Sequence, residues 1–407
     1  MGKIENNNFI LLHFSDCFYP RINGVTTAIY SISKSLEKYG IYNIIIAPSY
    51  ESSNDIIVED FYGLDIVRIP SLPFIFNKED RFILFSNTKK IYQFLINMFK
   101  ERNISHLRKI FLFHNVMNSY FVGENLYKFF VDDFNYKDSN RLLKIFYYHT
   151  FWDYYLHYIP LPRFISSYLL NLLEKKVFKS MDYVFVANSY VKNFLGARFS
   201  LNGKVLVKPL PLNPLFFGII ENESNKNLTE KNYFLYVGRL GKEKNVYFLI
   251  DVFYEIFNIK NDFYLYLVGD GPEKKGLIEY IRNKGIEDRV LFLGYLPQKD
   301  IIKLYQKSKG LIFTSKTETL GLVVLEAMSA GTIVFTLNVP PFNDIIFNNV
   351  DGILVEREDK SYFAGKVLEV LQSQELVKNL KNNAIIKSKS FHPDCFAQKF
   401  IELVNCL

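Results

Sequence analysis

Cysteine is scarce in this sequence. The 407 residues include three cysteines, Cys17, Cys395 and Cys406, which are odd in number, far apart in the chain and without the close spacing of metal ligands. A disulfide framework needs paired cysteines, and a zinc site needs clustered ones. The sequence therefore supports neither, and the sparse use of cysteine is typical of a reducing, cytosolic interior.

Long apolar stretches are missing as well, although hydrophobic residues make up 49% of the chain. A transmembrane helix needs about 18 to 20 consecutive apolar residues, and no uninterrupted run approaches that length. The early run "FILLHF" is followed by "SDC", which lacks the small-residue pattern of a signal-peptide cleavage site. We therefore expect a protein that is soluble or bound peripherally to a membrane.

The second half of the chain lacks a surplus of positive charge. The net charge is +7, but residues 214–407 carry 24 Lys and Arg against 24 Asp and Glu, whereas residues 1–213 carry 25 against 18. The basic excess therefore lies in the first half. A basic nucleic-acid-binding protein would be expected to carry a recognisable binding module. We find none in the sequence and expect no nucleic-acid partner.

Short apolar runs alternate with helical patterns along the chain, which indicates parallel sheets flanked by helices. In the first half these runs are "NFILLHF", "YNIIIAP", "DIVRI", "KIFLFH", "KIFYYH" and "YVFVA". In the second half they are "YFLYV", "FYLYLV", "VLFLG", "GLIFT" and "TIVFT". The polar stretch "GIIENESNKNLTEK" between the two halves is the best linker candidate.

We therefore predict an α/β fold with two Rossmann-like, doubly wound domains. The first covers residues 1–217, a linker covers 218–231, and the second covers 232–390. A C-terminal helix, residues 391–407, is expected to pack back on the first domain. Ligands of such sheets bind at the carboxyl ends of the strands, so the predicted site is the cleft between the domains.

Two glutamates lie around the start of an apolar helix in "TETLGLVVLEAMSAG", residues 317–331. We expect the helix to begin near Gly321, so that Glu318 precedes it and Glu326 lies inside it. The amides of Gly321 and Leu322 then point into the cleft and suit anionic phosphate or sugar oxygens. A carboxylate can accept two hydrogen bonds from a ribose or hexose diol. For a bare pair, the alternative is that Glu318 caps the helix and Glu326 lies on a solvated face.

Three further loops follow strands of the second half. In "YVGRLGKEKN", Arg239 and Lys244 lie in a glycine-bearing loop, where two cations can clamp a diphosphate. The turn "LVGDGPEKKGL", with Gly269 and Gly271, is a weak signal when taken alone. In "VLFLGYLP", Gly294 lets a planar base approach the backbone. Each loop alone is unspecific, but their order and spacing together are informative.

In these motifs the sequence resembles the family-4 retaining glycosyltransferases of the GT-B fold. The resemblance covers nearly the whole chain and is strongest in the second domain, whose four motifs look like the family's successive nucleotide-sugar motifs. It implies that Arg239 and Lys244 bind the diphosphate. It also implies that Glu326 binds the ribose hydroxyls, Glu318 binds the donor sugar and Gly294 faces the base.

The first domain carries the same resemblance. The stretch "FSDCFYPRINGVTTAIYSISKSLEKYG" looks like the family's first strand, glycine loop and helix, with Gly24 where the donor approaches. "YYHTFWDYYLHYIP" resembles the family's histidine-containing stretch, which implies that His149 contacts the donor sugar near the reaction centre. His114, at another strand end, is a further candidate. A satisfied core or rim histidine is the alternative for both. One departure is "VLVKPLPLNPLFF", which lacks the glycine of the family's Pro-Asn-Gly-type turn.

The resemblance implies transfer of a hexose from a nucleotide sugar, such as a UDP-hexose, with retention through front-face attack by the acceptor hydroxyl. The cations and helix amides can neutralise the leaving diphosphate, so we expect neither a metal nor a cofactor. The pair Asp132 and Asp133 is typical of a solvated loop rather than a metal site. The first-domain motifs are closest to family members that glycosylate diacylglycerol, which implies a glucosyl- or galactosyldiacylglycerol synthase.

Other functions stay open. Phosphatidylinositol, as for a mannosyltransferase, and undecaprenyl- or lipopolysaccharide-linked sugars are alternative acceptors. A non-catalytic protein that binds sugar nucleotides would carry the same motifs. A dinucleotide-dependent oxidoreductase would need a full glycine fingerprint after the first strand, and "SDCFYPRINGV" is not one.

The stretch between Arg81 and Ile110 mixes aromatic and aliphatic residues with basic ones, namely Lys89, Lys90, Lys100, Arg102, Arg108 and Lys109. Such an amphipathic segment can lie on an anionic bilayer. An ordinary outer helix with a solvated face is the alternative. We predict a cytoplasmic protein that binds the inner face of the cell membrane peripherally through this segment, and we infer no protein partner.

Overall fold

The computed structural model of this chain describes residues 8–51, 55–73, 81–83, 88–133, 142–159, 161–201, 203–218 and 231–407. The chain divides into two compact units. The first runs up to Pro211 and takes up the chain again at Pro393–Leu407, and the second is Leu212–His392. Of the predicted linker, residues 218–231, only the two end residues are described.

The first unit is built on an eight-stranded sheet with the order β10-β9-β8-β7-β1-β2-β4-β3. In chain order these strands are β1 (Phe9–Phe14), β2 (Tyr42–Pro48), β3 (Ile57–Phe61), β4 (Leu64–Ile69), β7 (Arg108–Phe113), β8 (Leu142–Tyr147), β9 (Tyr183–Val186) and β10 (Val205–Val207). All neighbours are parallel except β3 and β4. A separate antiparallel pair is formed by β5 (Ser71–Pro73) and β6 (Arg81–Ile83).

Helices of the first unit are α1 (Gly24–Glu37), α2 (Thr88–Glu101), α3 (Asn118–Asp132), α4 (Arg163–Ser180), α5 (Ser189–Phe199) and the last helix of the chain, α13 (Pro393–Cys406). A 3-10 helix, Trp152–Tyr158, precedes α4. Helix α13 packs against α1, where Lys38 forms an ion pair with Asp394. Nη1 of Arg108 donates to the carbonyl oxygen of Val404 (3.1 Å). The end of the chain therefore belongs to the first unit.

The second unit contains a six-stranded parallel sheet with the order β13-β12-β11-β14-β15-β16. Its strands are β11 (Asn232–Val237), β12 (Phe263–Val268), β13 (Val290–Gly294), β14 (Gly310–Phe313), β15 (Val334–Leu337) and β16 (Ile353–Val355). The helices are α6 (Val246–Ile259), α7 (Lys274–Asn283), α8 (Gln298–Lys307), α9 (Leu322–Ser329), α10 (Phe342–Ile345), α11 (Lys360–Gln372) and α12 (Gln374–Ser388).

The predicted fold class, two doubly wound α/β domains, is confirmed. Parallel strands covered by helices on both faces are buried on both sides, and they therefore appear in the sequence as apolar runs. Every side chain of β1 is buried. The apolar runs did not predict β3, an edge strand whose side chains alternate in exposure, or β10 and β16, which have three residues each.

The prediction that the chain between Arg81 and Ile110 forms one amphipathic segment is wrong. The described part is divided among β6, α2 and β7. Lys109 lies in β7 and is fully buried, with its Nζ donating to the carbonyl oxygen of Leu107 (2.5 Å). Phe99 is also fully buried in the core. Lys and Arg side chains of this stretch that remain exposed are Lys89, Lys90, Lys100 and Arg102.

Candidate functional site

Four neighbouring strands of the second unit end at one edge of its sheet, and loops with predicted site residues follow them. Across the sheet, β13 ends at Gly294 and β12 is followed by Gly269. The loop with Arg239 and Lys244 follows β11, and the loop with Glu318 follows β14. Parallel strands present their carboxyl ends at the same edge, so these loops are neighbours.

Lys244 and Glu318 form an ion pair across two of these loops. Lys244 ends a 3-10 turn, Lys242–Lys244, and its Nζ lies 2.5 Å from Oε1 of Glu318. The side chains are 15% and 16% exposed, so both remain accessible. Oγ1 of Thr317 also joins the loops by donating to the carbonyl oxygen of Glu243 (3.2 Å). A cation and a carboxylate predicted to bind different parts of one donor therefore meet at one place.

Arg239 lies in the same loop as Lys244, with its side chain 31% exposed and Nη1 4.0 Å from Oε1 of Glu243. The Glu243 side chain is 1% exposed. A Cβ at Gly241 would lie 2.4 Å from that carboxylate, so glycine leaves the room that it occupies. The sequence motifs did not identify Glu243. The signal available was "KEK", in which a carboxylate stands between two cations.

Glycines allow two of these loops to touch through their main chains. A Cβ at Gly269 would lie 2.1 Å from the carbonyl oxygen of Gly238, and a Cβ at Gly271 would lie 2.4 Å from that of Leu240. The Leu240 amide donates to the carbonyl oxygen of Asp270 (3.0 Å). The turn "LVGDGPEKKGL", a weak signal by itself, therefore fixes the loop that carries the two cations.

We expect Gly269→Ala to lower the melting temperature and, for the UDP-sugar donor that the motifs predict, to weaken UDP binding, because the added methyl group must displace the loop with Arg239. Overpacking of this kind costs about 1 to 3 kcal/mol. Scanning calorimetry and UDP titration measure the two effects. Gly365→Ala in α11 is the matched control, since its Cβ would meet nothing within 4 Å. Alanine favours a helix over glycine, so this control should not lower the melting temperature. A wild-type melting temperature for Gly269→Ala would contradict the expectation.

Helix α9 begins where the sequence predicts. Gly321 precedes it with a φ of 73°, in the left-handed region that favours glycine. A Cβ at Gly321 would also lie 2.6 Å from the ring of Phe342, so the close packing requires glycine as well. The first amides of a helix have no partners within the helix. That the amides of Gly321 and Leu322 bind an anionic group stays a prediction.

Gly294 ends β13 with a φ of 67°. Its carbonyl oxygen accepts a hydrogen bond from the amide of Gly269 (2.7 Å). A Cβ at Gly294 would meet nothing within 4 Å, so there is open space beside it. The left-handed backbone accounts for the glycine by itself. That a base approaches here therefore stays a prediction.

Glu326 is buried inside α9, with 8% of the residue exposed. Its Oε2 accepts a hydrogen bond from the hydroxyl group of Tyr305 (3.4 Å). Burial raises the pKa of Glu326 to about 8. The alternative of a solvated Glu326 is therefore wrong. The two glutamates of the motif differ, because Glu318 contacts an ammonium group and Glu326 contacts a tyrosine hydroxyl.

Gly24 is the first residue of α1 in the first unit. The preceding Asn23 caps this helix, with its Oδ1 accepting a hydrogen bond from the amide of Thr26 (2.9 Å). A Cβ at Gly24 would meet nothing within 4 Å. Packing of the described residues therefore does not require glycine here. The open space is compatible with the predicted approach of a donor, which stays a prediction.

His149 lies at one end of a row of hydrogen-bonded side chains that runs across the neighbouring strands β8, β7, β1 and β2. Its Nε2 lies 2.8 Å from Nδ1 of His114, and Nε2 of His114 lies 3.0 Å from Nδ1 of His13. Nε2 of His13 lies 3.0 Å from Oδ1 of Asn43. The structure thus brings the two predicted histidines together. It adds His13 and Asn43, which the motifs did not identify.

The donors and acceptors in this row run in one direction. Nδ2 of Asn43 donates to the carbonyl oxygens of Ile41 (2.9 Å) and of a residue in α1 (3.4 Å), so Oδ1 is the atom that faces His13. His13 therefore donates through Nε2 and accepts through Nδ1, and His114 does the same. His149 consequently carries its proton on Nε2 and has its lone pair on Nδ1.

Burial keeps the three imidazoles uncharged. It lowers the pKa of His13 to about 4 and that of His149 to about 3. The pKa of His114 lies well below the ordinary 6.5, because of burial first and the two neighbouring imidazoles second. The row is therefore neutral at physiological pH, as a one-directional chain of neutral rings requires.

We expect this row to make the protein sensitive to acid. The ordinary pKa of histidine is 6.5, so between that pH and about 4 the unfolded chain takes up protons that the folded chain does not. The free energy of unfolding should therefore fall as the pH decreases through this window, by up to about 1.4 kcal/mol per pH unit for each histidine. Urea unfolding at pH 7, 6 and 5 measures it. His114→Gln should reduce the slope, and the matched variant His106→Gln, at an exposed position, should not. Equal slopes for both variants would contradict the expectation.

Comparison with known proteins agrees with the motifs. Residues 219–387 match the family described as "Glycosyl transferases group 1". The alpha-monoglucosyldiacylglycerol synthase of Streptococcus pneumoniae is 25% identical over 88% of this chain and 77% of its own length. The protein of the same name from Acholeplasma laidlawii is 22% identical over 96% of this chain and 96% of its own.

Solved structures share the fold. Sucrose-phosphate synthase from Thermosynechococcus elongatus has a TM-score of 0.75 and 17% identity, covering 97% of this chain and 98% of its own. Anabaena HepE in complex with UDP and glucose has a TM-score of 0.71 and 15% identity, covering 98% of this chain and 100% of its own. At these identities the likeness shows the fold alone.

Proposed function

Because this chain is a group 1 glycosyltransferase with the GT-B fold, as its motifs predict, we propose that it transfers a hexose from a UDP-sugar to a membrane lipid. The hexose is glucose or galactose, and the acceptor is 1,2-diacylglycerol. The meeting of Lys244 and Glu318 at the carboxyl edge of the second sheet carries the donor half of the proposal. Similarity to two alpha-monoglucosyldiacylglycerol synthases over most of the chain supports the acceptor.

The diphosphate of the donor would lie against Lys244 and Arg239, with the first amides of α9 beside it. The bond that breaks joins the anomeric carbon to a phosphate oxygen, and negative charge develops on that oxygen. Preorganised cations and amides stabilise such charge, so the reaction needs neither a metal ion nor a further cofactor. Glu318 would accept hydrogen bonds from the hexose, and Glu326 would accept them from the ribose.

The acceptor hydroxyl would attack from the face that the phosphate leaves, and its proton would pass to a phosphate oxygen. This route retains the anomeric configuration without an enzyme nucleophile. His149 would accept a hydrogen bond from a sugar hydroxyl through Nδ1, because its proton lies on Nε2. As a neutral imidazole it adds no charge to the site.

Incubation with labelled UDP-glucose, UDP-galactose or GDP-mannose over mixed-lipid vesicles tests the proposal. We expect labelled monohexosyldiacylglycerol from a UDP-sugar, with or without EDTA. Transfer from GDP-mannose to phosphatidylinositol alone, or to a polyprenyl- or lipopolysaccharide-linked sugar, would contradict both donor and acceptor. Binding of UDP without transfer or donor hydrolysis would identify a non-catalytic protein that binds sugar nucleotides. Loss of transfer in EDTA that magnesium restores would contradict the metal-free reaction.

A lipid acceptor requires contact with a membrane. Within the described ranges of the chain, no helix is long and apolar enough to cross a bilayer. We propose that the enzyme binds peripherally, at the inner face of the cell membrane. Lys89, Lys90, Lys100 and Arg102 are exposed and can attract anionic lipids. Among the described residues between Arg81 and Ile110, few apolar side chains are available for insertion, because most of them pack in or against the core.

A further inference from the structure

Helix α4 of the first unit exposes large apolar side chains. Phe164 is 75% exposed and Tyr168 is 64% exposed. The exposed apolar residues of this helix are Phe164, Ile165, Tyr168, Leu169 and Leu172, and together they form the α4 apolar face. Most of them recur at a spacing of three or four residues, which places them along one side of a helix. A contiguous exposed apolar surface of this kind indicates an interaction site.

The opposite side of α4 carries polar groups into the protein. Ser166 is buried, and its hydroxyl donates to the carbonyl oxygen of Arg163 (3.1 Å). Glu174 is fully buried and forms an ion pair with Arg198 (3.4 Å). A helix that faced water would place its apolar side inward and its polar side outward. Leu170, Val177 and Phe178 do pack inward, but α4 also carries the α4 apolar face on its outer side, and that side is therefore suited to an apolar environment.

Exposed apolar side chains also occur in the segment that leads to the helix. Tyr154, Ile159 and Leu161 are also exposed. Tyrosine is enriched where a protein meets the interface of a membrane, because its ring is apolar and its hydroxyl is polar. The exposed surface therefore involves more than one turn of one helix.

Basic side chains follow the apolar ones along α4. Lys175, Lys176 and Lys179 are exposed in its second half, and Arg163 is exposed at its start. The only acidic residue of the helix, Glu174, is the buried partner of Arg198. The outer face of α4 therefore has positive charges and no carboxylate.

A cavity of about 550 Å³ opens beside Phe164 and Tyr168. Arg198 and Asp153 line it and form an ion pair with each other. Because these charges are paired, the cavity wall adds little attraction for an anion. Around the α4 apolar face, attraction to a negatively charged surface would therefore come from the lysines of α4.

We propose that the α4 apolar face inserts into the interfacial layer of an anionic bilayer, with the three lysines at the level of the lipid phosphates. From Phe164 to Leu172 the helix rises about 12 Å. A helix that lies in the plane of the interface would bury an apolar face of this length at the boundary between headgroups and acyl chains. The ammonium groups of long lysine side chains can reach the phosphates while their methylene stems stay in the apolar layer. Charges of one sign along the outer face fit an anionic lipid surface. The α4 apolar face would supply the membrane contact that the proposed function requires, and the inference rests on that function.

Vesicle co-sedimentation of the full chain tests the inference. The vesicles are phosphatidylcholine alone, or phosphatidylcholine with phosphatidylglycerol, at low and high salt. The wild type should prefer anionic vesicles and bind them less at high salt. The triple variant Phe164→Ser, Tyr168→Ser, Leu169→Ser should bind them at least tenfold more weakly. The matched control exchanges Ile259, Phe347 and Ile386, which are exposed apolar residues of the second unit, for serine. This control should bind like the wild type.

The outcomes separate this inference from the proposed function. Transfer to a short-chain diacylglycerol dissolved as a monomer should be the same in the α4 variant and the wild type, while transfer to diacylglycerol in vesicles should fall. If the wild type transferred a hexose to no lipid, the proposed function would be contradicted. Vesicle co-sedimentation would still test the binding of the α4 apolar face to a bilayer. Unchanged sedimentation of the α4 variant would overturn the inference. A wild-type dimer that the triple variant converts to monomer would also overturn it, by identifying a protein interface.

Discussion

Lys244→Ala should lower the rate of hexose transfer by about a hundredfold, the usual loss when a preorganised electrostatic group is removed from a reaction centre. The ammonium group of Lys244 lies 2.5 Å from the carboxylate of Glu318. In the proposed reaction, its removal would take a cation away from the leaving diphosphate, and it would leave Glu318 without that counter-ion. Arg239→Ala should produce a loss of similar size. Single-turnover transfer at saturating UDP-sugar measures the chemical step without the effect of binding.

Lys242→Ala is the matched control for Lys244→Ala, since Lys242 begins the same 3-10 turn and is exposed. It should transfer at the wild-type rate. The double variant Lys244→Ala, Glu318→Gln should lose less than the product of the two single losses, because residues in contact are not additive. A rate within threefold of wild type for Lys244→Ala would remove this residue from the reaction centre.

Glu326→Ala should weaken UDP binding at least tenfold while the fold stays intact. A hydrogen bond to a charged group is worth roughly 1.5 to 3 kcal/mol, and a ribose diol can donate two of them. Glu318→Ala should reduce turnover more than it reduces UDP binding, because its proposed partner is the hexose. Calorimetric titration with UDP and steady-state kinetics distinguish the two variants. Wild-type affinity in folded Glu326→Ala would contradict the ribose contact.

The same contact predicts a pH dependence of UDP affinity. Burial raises the pKa of Glu326 to about 8, so its carboxyl group is mostly protonated at neutral pH. A diol that donates two hydrogen bonds favours the carboxylate, so binding releases a proton. UDP affinity should therefore rise with pH up to about 8, by at most about tenfold per pH unit, and then level off. Glu326→Gln should remove this rise. A rise that persists in Glu326→Gln would assign the proton to another group.

The fold could be predicted from the sequence to the extent that burial appears as apolar runs. Strands such as β1 and β11 are buried along nearly their whole length, and "NFILLHF" and "YFLYV" show this directly. Strand β3 has Glu59 and Asp60 in its middle, so no apolar run marks it. For Lys109 the sequence predicts an exposed basic side chain, whereas the structure buries it. Its ammonium group is buried against carbonyl oxygens of the loop that precedes β7, which its position in the sequence does not indicate.

The sequence predicts which residues lie in the loops of the candidate site, but it does not predict their contacts. Motifs identified Lys244 and Glu318 separately, but their ion pair joins loops 74 residues apart and depends on the strand order. The motifs do not identify His13, because it stands in the apolar run "FILLHF", which is typical of a buried strand. A single imidazole in a fully buried strand was the available signal. Helical periodicity likewise could not show that Ser166 and Glu174 of α4 face inward.

Under the proposed contact of His149 with the donor sugar, the row of histidines would make Asn43 a remote determinant of specificity. Residue 43 lies inside β2, with Ile41 and α1 holding its amide group. A side chain that donated a hydrogen bond here would reverse every ring in turn and would turn Nδ1 of His149 from an acceptor into a donor. A substitution at this strand position would therefore alter which sugar hydroxyls His149 can bind. No residue beside the sugar would have to change.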